Sequence, residues 1–291
     1  MSKRSKNHHY VPKVLQRQFL AEGERVWYSK RGEDGKYCAP YLKNIKKAFV
    51  GRDYYTVFDG CEYSDIVETA FYGRIDDYLG RILPKVINHL ENGIIPIFEN
   101  ESLTSLRWAV VEMTKRTPDF TKKIDEEAIG LEIFEGALAD RPFESENASN
   151  QEKAATLADP TITKKLGRAV RVRATIARSA KIEKVLEEFS IRWSVSKTQH
   201  SYILSSRMAY QIGNGGSNGL ANPRAEIWMP VSPKIALVLV RDPARKIPLK
   251  VPDTPHHIRQ VNEFAARSSD QIASHNQNLI ESILGKKAVL K

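Results

Sequence analysis

Apolar residues recur at helical spacing through the middle of this chain and run together or alternate in its last third. From Ser64 onward, Ile66, Val67, Phe71, Ile75, Leu79 and Ile82 repeat every three or four positions, which predicts a helix with Ser64 as its N-cap. Pro84 should break or kink it before a short element over 86–90, and Asn92-Gly93 should end that element. Leu103 to Arg116 predicts a second helix, stopped by Thr117-Pro118. A third, about 124–139, is acidic on its outer face. Glu144 to Asn150 has no apolar period and reads as an exposed loop. Beyond Asp159-Pro160 another helix is expected, with Leu166, Val170, Ile176 and Ala177 on its apolar side.

Strand patterns lie at both ends of the chain. Pro12 to Leu20 predicts a short helix, but Arg25-Val26-Trp27-Tyr28 and Tyr54-Tyr55-Thr56-Val57 are aromatic and β-branched. Ile191-Trp193-Val195 alternates, and Tyr202 to Leu204, Glu226 to Val231 and Ile235 to Val240 follow it. Gly213 to Gly219 reads as a loop between strands, and a single helix from about His256 to Leu284 closes the chain. The expected fold class is α+β. It is one mixed domain over 1–291: an N-terminal motif and strands (1–60), a helical part (61–188), and a mostly antiparallel sheet with a C-terminal helix (189–291).

Charge narrows the partners. The 291 residues carry a net +10, which points to a polyanion and first of all to nucleic acid, because neutralising phosphates gives affinity without reading sequence. Every charged residue from Pro160 to Ile182 is basic, and Lys164, Lys165, Arg168, Arg171, Arg178 and Lys181 are the candidates for tracking a phosphate backbone. The alternative is a solvated face that balances the acidic helix before it. No apolar stretch approaches a membrane span and no apolar segment follows the cationic start, so no membrane partner is expected. Cys38 and Cys61 are too few for a disulfide framework, and a reducing cytoplasm is the expected setting.

Chemistry concentrates at the start, in His8-His9-Tyr10-Val11-Pro12. Imidazoles shuttle protons near neutral pH, and a phenol donates a hydrogen bond or stacks on a base. The alternative is that Tyr10 and Pro12 fix the path of the chain and the histidines satisfy buried carbonyls. Glu68 and Asp76 share a helix face, as do Glu112 and Arg116, and a buried carboxylate–arginine pair at a helix end can hold a phosphate or a reacting water. Tyr55 and Trp228 could stack on a base, although both sit in strand patterns. A metal held by His9, Glu68 or Glu112 and the His256-His257 pair is a weaker reading, because no His-Glu-x-x-His or paired-Cys spacing supports it. No metal or cofactor is therefore expected. Pro118-Asp119 is not followed by the acid-x-Lys of a common metal-nuclease core.

With these elements in order, the chain resembles the bacterial domain-of-unknown-function family DUF4238 over most of its length. His-His-Tyr-Val-Pro with Arg17 and Phe19 behind it is the most specific mark. Asp53-Tyr54-Tyr55-Thr56, Glu68, Arg116-Thr117-Pro118, Pro230-Val231-Ser232-Pro233 and Val261-Asn262 are further likenesses. Members carry a Ser-Asp-x-Pro turn where this chain has Ser205-Ser206-Arg207-Met208, so the acid is absent here. The resemblance implies a compact mixed α/β domain and no settled reaction.

The expected function is a hydrolase acting on duplex DNA with a flipped nucleotide. Its favoured form is a metal-independent glycosylase that removes a base, modified in phage DNA, as a defence. Glu112, Glu68 and His9 are the catalytic candidates. His8, Tyr10, Tyr55 and Arg116 are the substrate-binding ones. The alternatives are a nuclease centred on His8 or His9 and a non-enzymatic nucleic-acid-binding module.

Overall fold

The opening motif leads into short elements: β1 (Asn7–His9), α1 (Lys13–Gln18), β2 (Arg25–Lys30), β3 (Tyr41–Asn44), β4 (Val50–Arg52), β5 (Val57–Asp59) and β6 (Glu62–Ser64). A π-helical turn, Val67–Tyr72, runs into α2 (Gly73–Glu91), followed by α3 (Asn100–Lys115), α4 (Pro118–Thr121), α5 (Glu126–Asp140), α6 (Pro160–Ile176) and α7 (Ala180–Leu186). Then come β7 (Phe189–Ser196), β8 (Leu204–Ser205), β9 (Tyr210–Ile212), a 3-10 turn (Gly219–Ala221), β10 (Glu226–Ser232), β11 (Ile235–Arg241), β12 (Lys250–Asp253), α8 (Pro255–Ser268), β13 (Gln271–Ser274) and α9 (Gln277–Ile283). The structure is a computed structural model, and it describes residues 6–59, 62–122, 124–140, 160–212 and 219–285. The architecture is α+β, as the patterning implies. The chain sorts into two compact units: Met1–His8, Arg52–Arg74 and Thr121–Ala177 form the smaller, and His9–Gly51, Ile75–Phe120 and Arg178–Lys291 the larger.

In the larger unit the apolar run Ile235 to Val240 becomes β11, the middle strand of a sheet ordered β12-β7-β11-β10-β9. A strand covered on both faces needs apolar residues at every position rather than at alternate ones, and all six are buried. The sheet is antiparallel except for the parallel pair β12–β7. Ala236, Val238 and Val240 pack with Trp228 and Tyr202 and with the α8 stripe Ile258, Val261 and Ala265. Asn262 lies in that stripe, yet it is satisfied: its amide donates to Ser201 O at 2.8 Å and its oxygen accepts from Ile203 N at 3.0 Å. A second, antiparallel sheet, β3-β2-β13-β8, places β13 between the strands β2 and β8.

The smaller unit has a different interior. Here β5 and β6 make a hairpin, and α5 and α6 lie antiparallel, backbone against backbone. A Cβ on Gly130 would stand 1.8 Å from Thr163 O, and one on Gly167 would stand 1.6 Å from Glu126 O, so only glycine permits this approach.

Several local expectations change. Ser64 ends β6, and the helix starts after it through the π turn. Pro84 lies inside α2 without ending it; it is exposed, while Leu79, Leu83, Val86, Ile87 and Leu90 hold the opposite face in the core. Tyr54 and Tyr55 form a turn rather than a strand. The closing helix is in fact α8, β13 and α9, because Gln271–Ser274 finds ladder partners on both sides. The expected helix from 160 onward ends at Ile176, so Arg178 and Lys181 are off it. The loop expected over 144–150 lies outside the described residues, as do residues 213–218 of the one expected over 213–219. Among the described residues no helix is long and apolar enough to cross a membrane.

Candidate functional site

Arg116 organises the best-defined cluster in the larger unit. Arg116 caps the end of α3, where the next residues, Thr117-Pro118, cannot continue it. Its guanidinium is fully buried and binds both carboxylate oxygens of Asp76 on α2, Nη2 meeting Oδ2 at 3.0 Å. The same Nη2 donates to the carbonyl of His9 at 2.8 Å. The planar fork therefore holds a carboxylate and the opening strand together, a geometry lysine could not supply. Asp76 keeps 31% of its side chain exposed, so the pair borders water.

His9 is fixed from both of its ends. Nε2 lies 3.1 Å from Ile45 O, and since a carbonyl can only accept, Nε2 carries the hydrogen and Nδ1 the lone pair. Burial, then the charge of Lys13, lower its pKa, and Arg116 adds to this; the Ile45 bond and Asp76 oppose. The imidazole is thus in its base form at neutral pH. Lys13 is exposed on α1 with Arg17 one turn on, and Lys46 and Lys47, both exposed, follow the Ile45 anchor. Tyr10 is buried; its N–H donates to Phe49 O at 3.2 Å and its ring meets the Phe49 ring edge-on.

The other predicted residues are placed as follows. Glu112 is buried in the larger unit, 2.8 Å from Lys115 Nζ and 3.8 Å from Arg178 Nε, and the Arg178 guanidinium stacks over Trp108. Burial raises its pKa, against the opposing pull of Lys115 and Arg178. The carboxylate that meets Arg116 is therefore Asp76, not its i, i+4 neighbour Glu112. Lys181 is exposed at the start of α7.

The chain passes into the larger unit between His8 and His9. On the smaller side, His8 is fully buried, its Nδ1 accepts from Tyr55 N at 2.9 Å, and its ring stacks on that of Tyr55. Its hydrogen therefore sits on Nε2, 3.6 Å from Asp65 Oδ1. Tyr55 packs against Tyr54 and Tyr72 in the interior, so the structure gives it a core position rather than an open stacking face. Glu68 lies in the π turn of this unit. The basic run is met by the acidic helix: Lys164 pairs with Glu127 at 3.1 Å and Arg168 with Glu126 at 3.5 Å. Arg171 is buried, pairs with Glu126 at 2.6 Å, donates to Tyr54 O and stacks on the Tyr54 ring. Lys165 lies over the Tyr63 ring.

Asp76 was legible only as a face-mate of Glu68; nothing in its spacing to Arg116, 40 residues away, marks the pair. At Ser205-Ser206-Arg207-Met208, Ser206 Oγ accepts from Asp270 N and Gln271 N, both at 3.2 Å. Asp119 Oδ1 accepts from the same Asp270 N at 3.1 Å, so a carboxylate from α4 stands at the turn that lacks its own. Among the described residues no three His, Cys, Asp or Glu side chains converge as a metal site requires.

No curated protein and no solved structure matches the chain. The family described as protein of unknown function (DUF4238) matches residues 7–278, from the strand that carries His8 and His9 to the start of α9. By that match over nearly its whole length, the chain belongs to the DUF4238 family.

Proposed function

We propose that the protein is a hydrolase acting on DNA without a bound metal, that it cleaves the N-glycosidic bond of a base, and that the His9–Asp76–Arg116 cluster is its reaction centre. One observation carries the reading: the His9 ring gives its hydrogen to Ile45 O and so turns a base-form Nδ1 lone pair outward from that bond, in the field of the Asp76–Arg116 pair. Loss of a base leaves positive charge on the sugar, and a fixed carboxylate such as Asp76 stabilises it. The glycosidic bond breaks with its electron pair going to the base nitrogen; Nδ1 of His9 accepts the proton of the water that adds to the anomeric carbon, and that proton then goes to the departed base. Arg116 is a positioning residue, because it is fully buried and acts through Asp76 and the His9 backbone. Exposed Lys13, Arg17, Lys46 and Lys47 supply cationic charge for phosphates, whereas the basic residues of α6 are largely matched by α5. A modified base in invading phage DNA is the substrate that would make this chemistry a defence.

The test is incubation of the full chain with modified and unmodified duplexes in EDTA, followed by alkali. Alkali-labile abasic sites are expected, and His9→Asn should lower their rate by about 10²- to 10⁴-fold, the usual worth of a positioned base. Intact duplexes throughout, or an undiminished His9→Asn rate, would defeat the reading.

A further inference from the structure

A cavity of about 300 Å³ lies in the larger unit between α3, the start of β7 and the connection from β11 to β12. Asn100, Leu103 and Arg107 line it from one face of α3, at the spacing that brings helical side chains to the same side. Leu103, Ile191, Ile247 and Leu249 give it an apolar wall. Among the described residues its charged lining is two arginines, Arg107 and Arg245, and no acid.

The two guanidiniums converge on the same stretch of backbone. Arg107 Nη1 lies 3.2 Å from Leu186 O and 3.3 Å from Phe189 O. Arg245 Nη1 donates to that same Phe189 O at 2.8 Å, and its Nη2 donates to Glu187 O. Leu186 is the last residue of α7, so these carbonyls belong to a helix end, and one arginine would satisfy them. The second is present against two opposing effects. Burial, then the positive charge of Arg245, lower the Arg107 pKa, and Glu187 opposes them. Arg245 also holds a left-handed backbone, φ 54°, which strains a side-chain-bearing residue and not glycine. The turn itself is closed by Asp242, whose carboxylate accepts from Lys246 N at 3.0 Å and Ile247 N at 2.9 Å. Glycine would serve that turn with less strain; what arginine adds is a second cation beside Arg107.

Neither cation is neutralised by an ion pair among the described residues, whereas Arg116, Arg171 and Arg241 each hold a carboxylate. Glu187 acts on Arg107, and Asp242 on Arg245, only from beyond ion-pair distance. Donors also remain. Arg107 Nη2 reaches Thr104 Oγ1 at 3.4 Å, and the bonds of Arg245 run from Nη1 and Nη2, leaving its Nε without an acceptor among the described residues.

We infer that this cavity binds a small organic phosphate monoester, with the phosphate on Arg107 and Arg245 and the apolar body against Leu103, Ile191, Ile247 and Leu249. Charge and shape select this class together. Two unpaired guanidiniums match a group that carries nearly two negative charges and three acceptor oxygens at neutral pH, where a carboxylate brings one charge and two oxygens. A free inorganic phosphate would leave the apolar wall wet. The volume is at the small end of ligand pockets, which limits the body to about one ring.

The probe is phenyl phosphate, titrated calorimetrically into the full chain near neutral pH and at low salt. Saturable one-to-one binding is expected. Inorganic phosphate and phenylacetate should each bind at least ~10-fold more weakly, the first for want of an apolar body and the second for want of charge. Arg245→Gly removes the guanidinium but suits the left-handed turn, and it should weaken phenyl phosphate at least ~10-fold. Leu103→Ala should weaken phenyl phosphate and leave inorganic phosphate unchanged, a split that a merely unfolded variant would not give. No saturable heat in the unmodified chain, an unaltered affinity in Arg245→Gly, or equal affinity for phenylacetate or inorganic phosphate would overturn the inference. The cavity shares no residue with the His9 cluster, and the readout is binding rather than base release, so either reading can fail alone.

Discussion

The two units of this chain are held together by different means. In the larger, a continuous apolar strand, β11, is buried between sheet neighbours and packed on one face against α8. Its stability is dominated by removal of apolar surface from water. In the smaller, the interior is aromatic and charged: His8, Tyr54, Tyr55 and Tyr72 pack together, Arg171 is buried on Glu126, and α5 meets α6 through two glycines. Such an interior depends on close geometry and on satisfied polar groups, and it loses more when one partner is removed than pairing gained. The candidate catalytic group, His9 with Asp76, lies in the apolar-cored unit, which can hold a side chain rigidly. Three residues of the basic run, Lys164, Arg168 and Arg171, pair with acids of α5 inside the polar-cored unit.

The contrast can be broken at its strongest point first. Leu237 is fully buried on β11, and Leu237→Ala should lower stability by about 2–5 kcal/mol in urea denaturation through lost transfer energy and a cavity. A change below 1 kcal/mol would mean that the apolar strand is not what holds the larger unit. Gly167→Ala should cost about 1–3 kcal/mol, because the new methyl meets the Glu126 carbonyl and the helices must separate. Hydrogen exchange should localise that loss to α5 and α6, and unchanged protection there would remove the glycine contact from the account.

Smaller effects sharpen the same picture. Folding lowers the His9 pKa, so its contribution is complete above about pH 6.5 and is lost as pH falls through the depressed folded value. Folding raises the His257 pKa, so its contribution is complete below about pH 6.5 and is lost as pH rises through the raised folded value. His9→Asn should therefore flatten the acid side of the stability profile and His257→Gln the alkaline side, as read by melting temperature against pH. At the low end, Lys164→Ala removes a pair in which both side chains are about half exposed, and it should change stability by no more than ~0.5 kcal/mol, less still in salt. A larger loss would show that the surface pairs, not the glycine contact, hold α5 to α6.

Patterning made the central elements legible because their periodicity is local. The Ile235 to Val240 run, the helix ending at Arg116-Thr117-Pro118 and the α8 stripe can all be read from neighbours a few residues apart. The same locality produced the errors. Residues 271–274 read as a continuation of a helix, since nothing nearby shows that β2 and β8 are waiting on either side. Arg116 seemed to belong to Glu112 one turn away, while the fold gives it to Asp76, 40 residues off. Ser194 and Tyr202 carry no mark that both donate to Asp253 until the fold brings the three together.

By itself the sequence determined the α+β class, the family and the net positive charge, because these depend on composition and short-range order. Only the tertiary structure decided which carboxylate meets which base, which cations are already paired and which imidazole nitrogen keeps a lone pair. Those are properties of distances across the chain, and hydrogen-bond geometry and burial set them only after distant segments have packed.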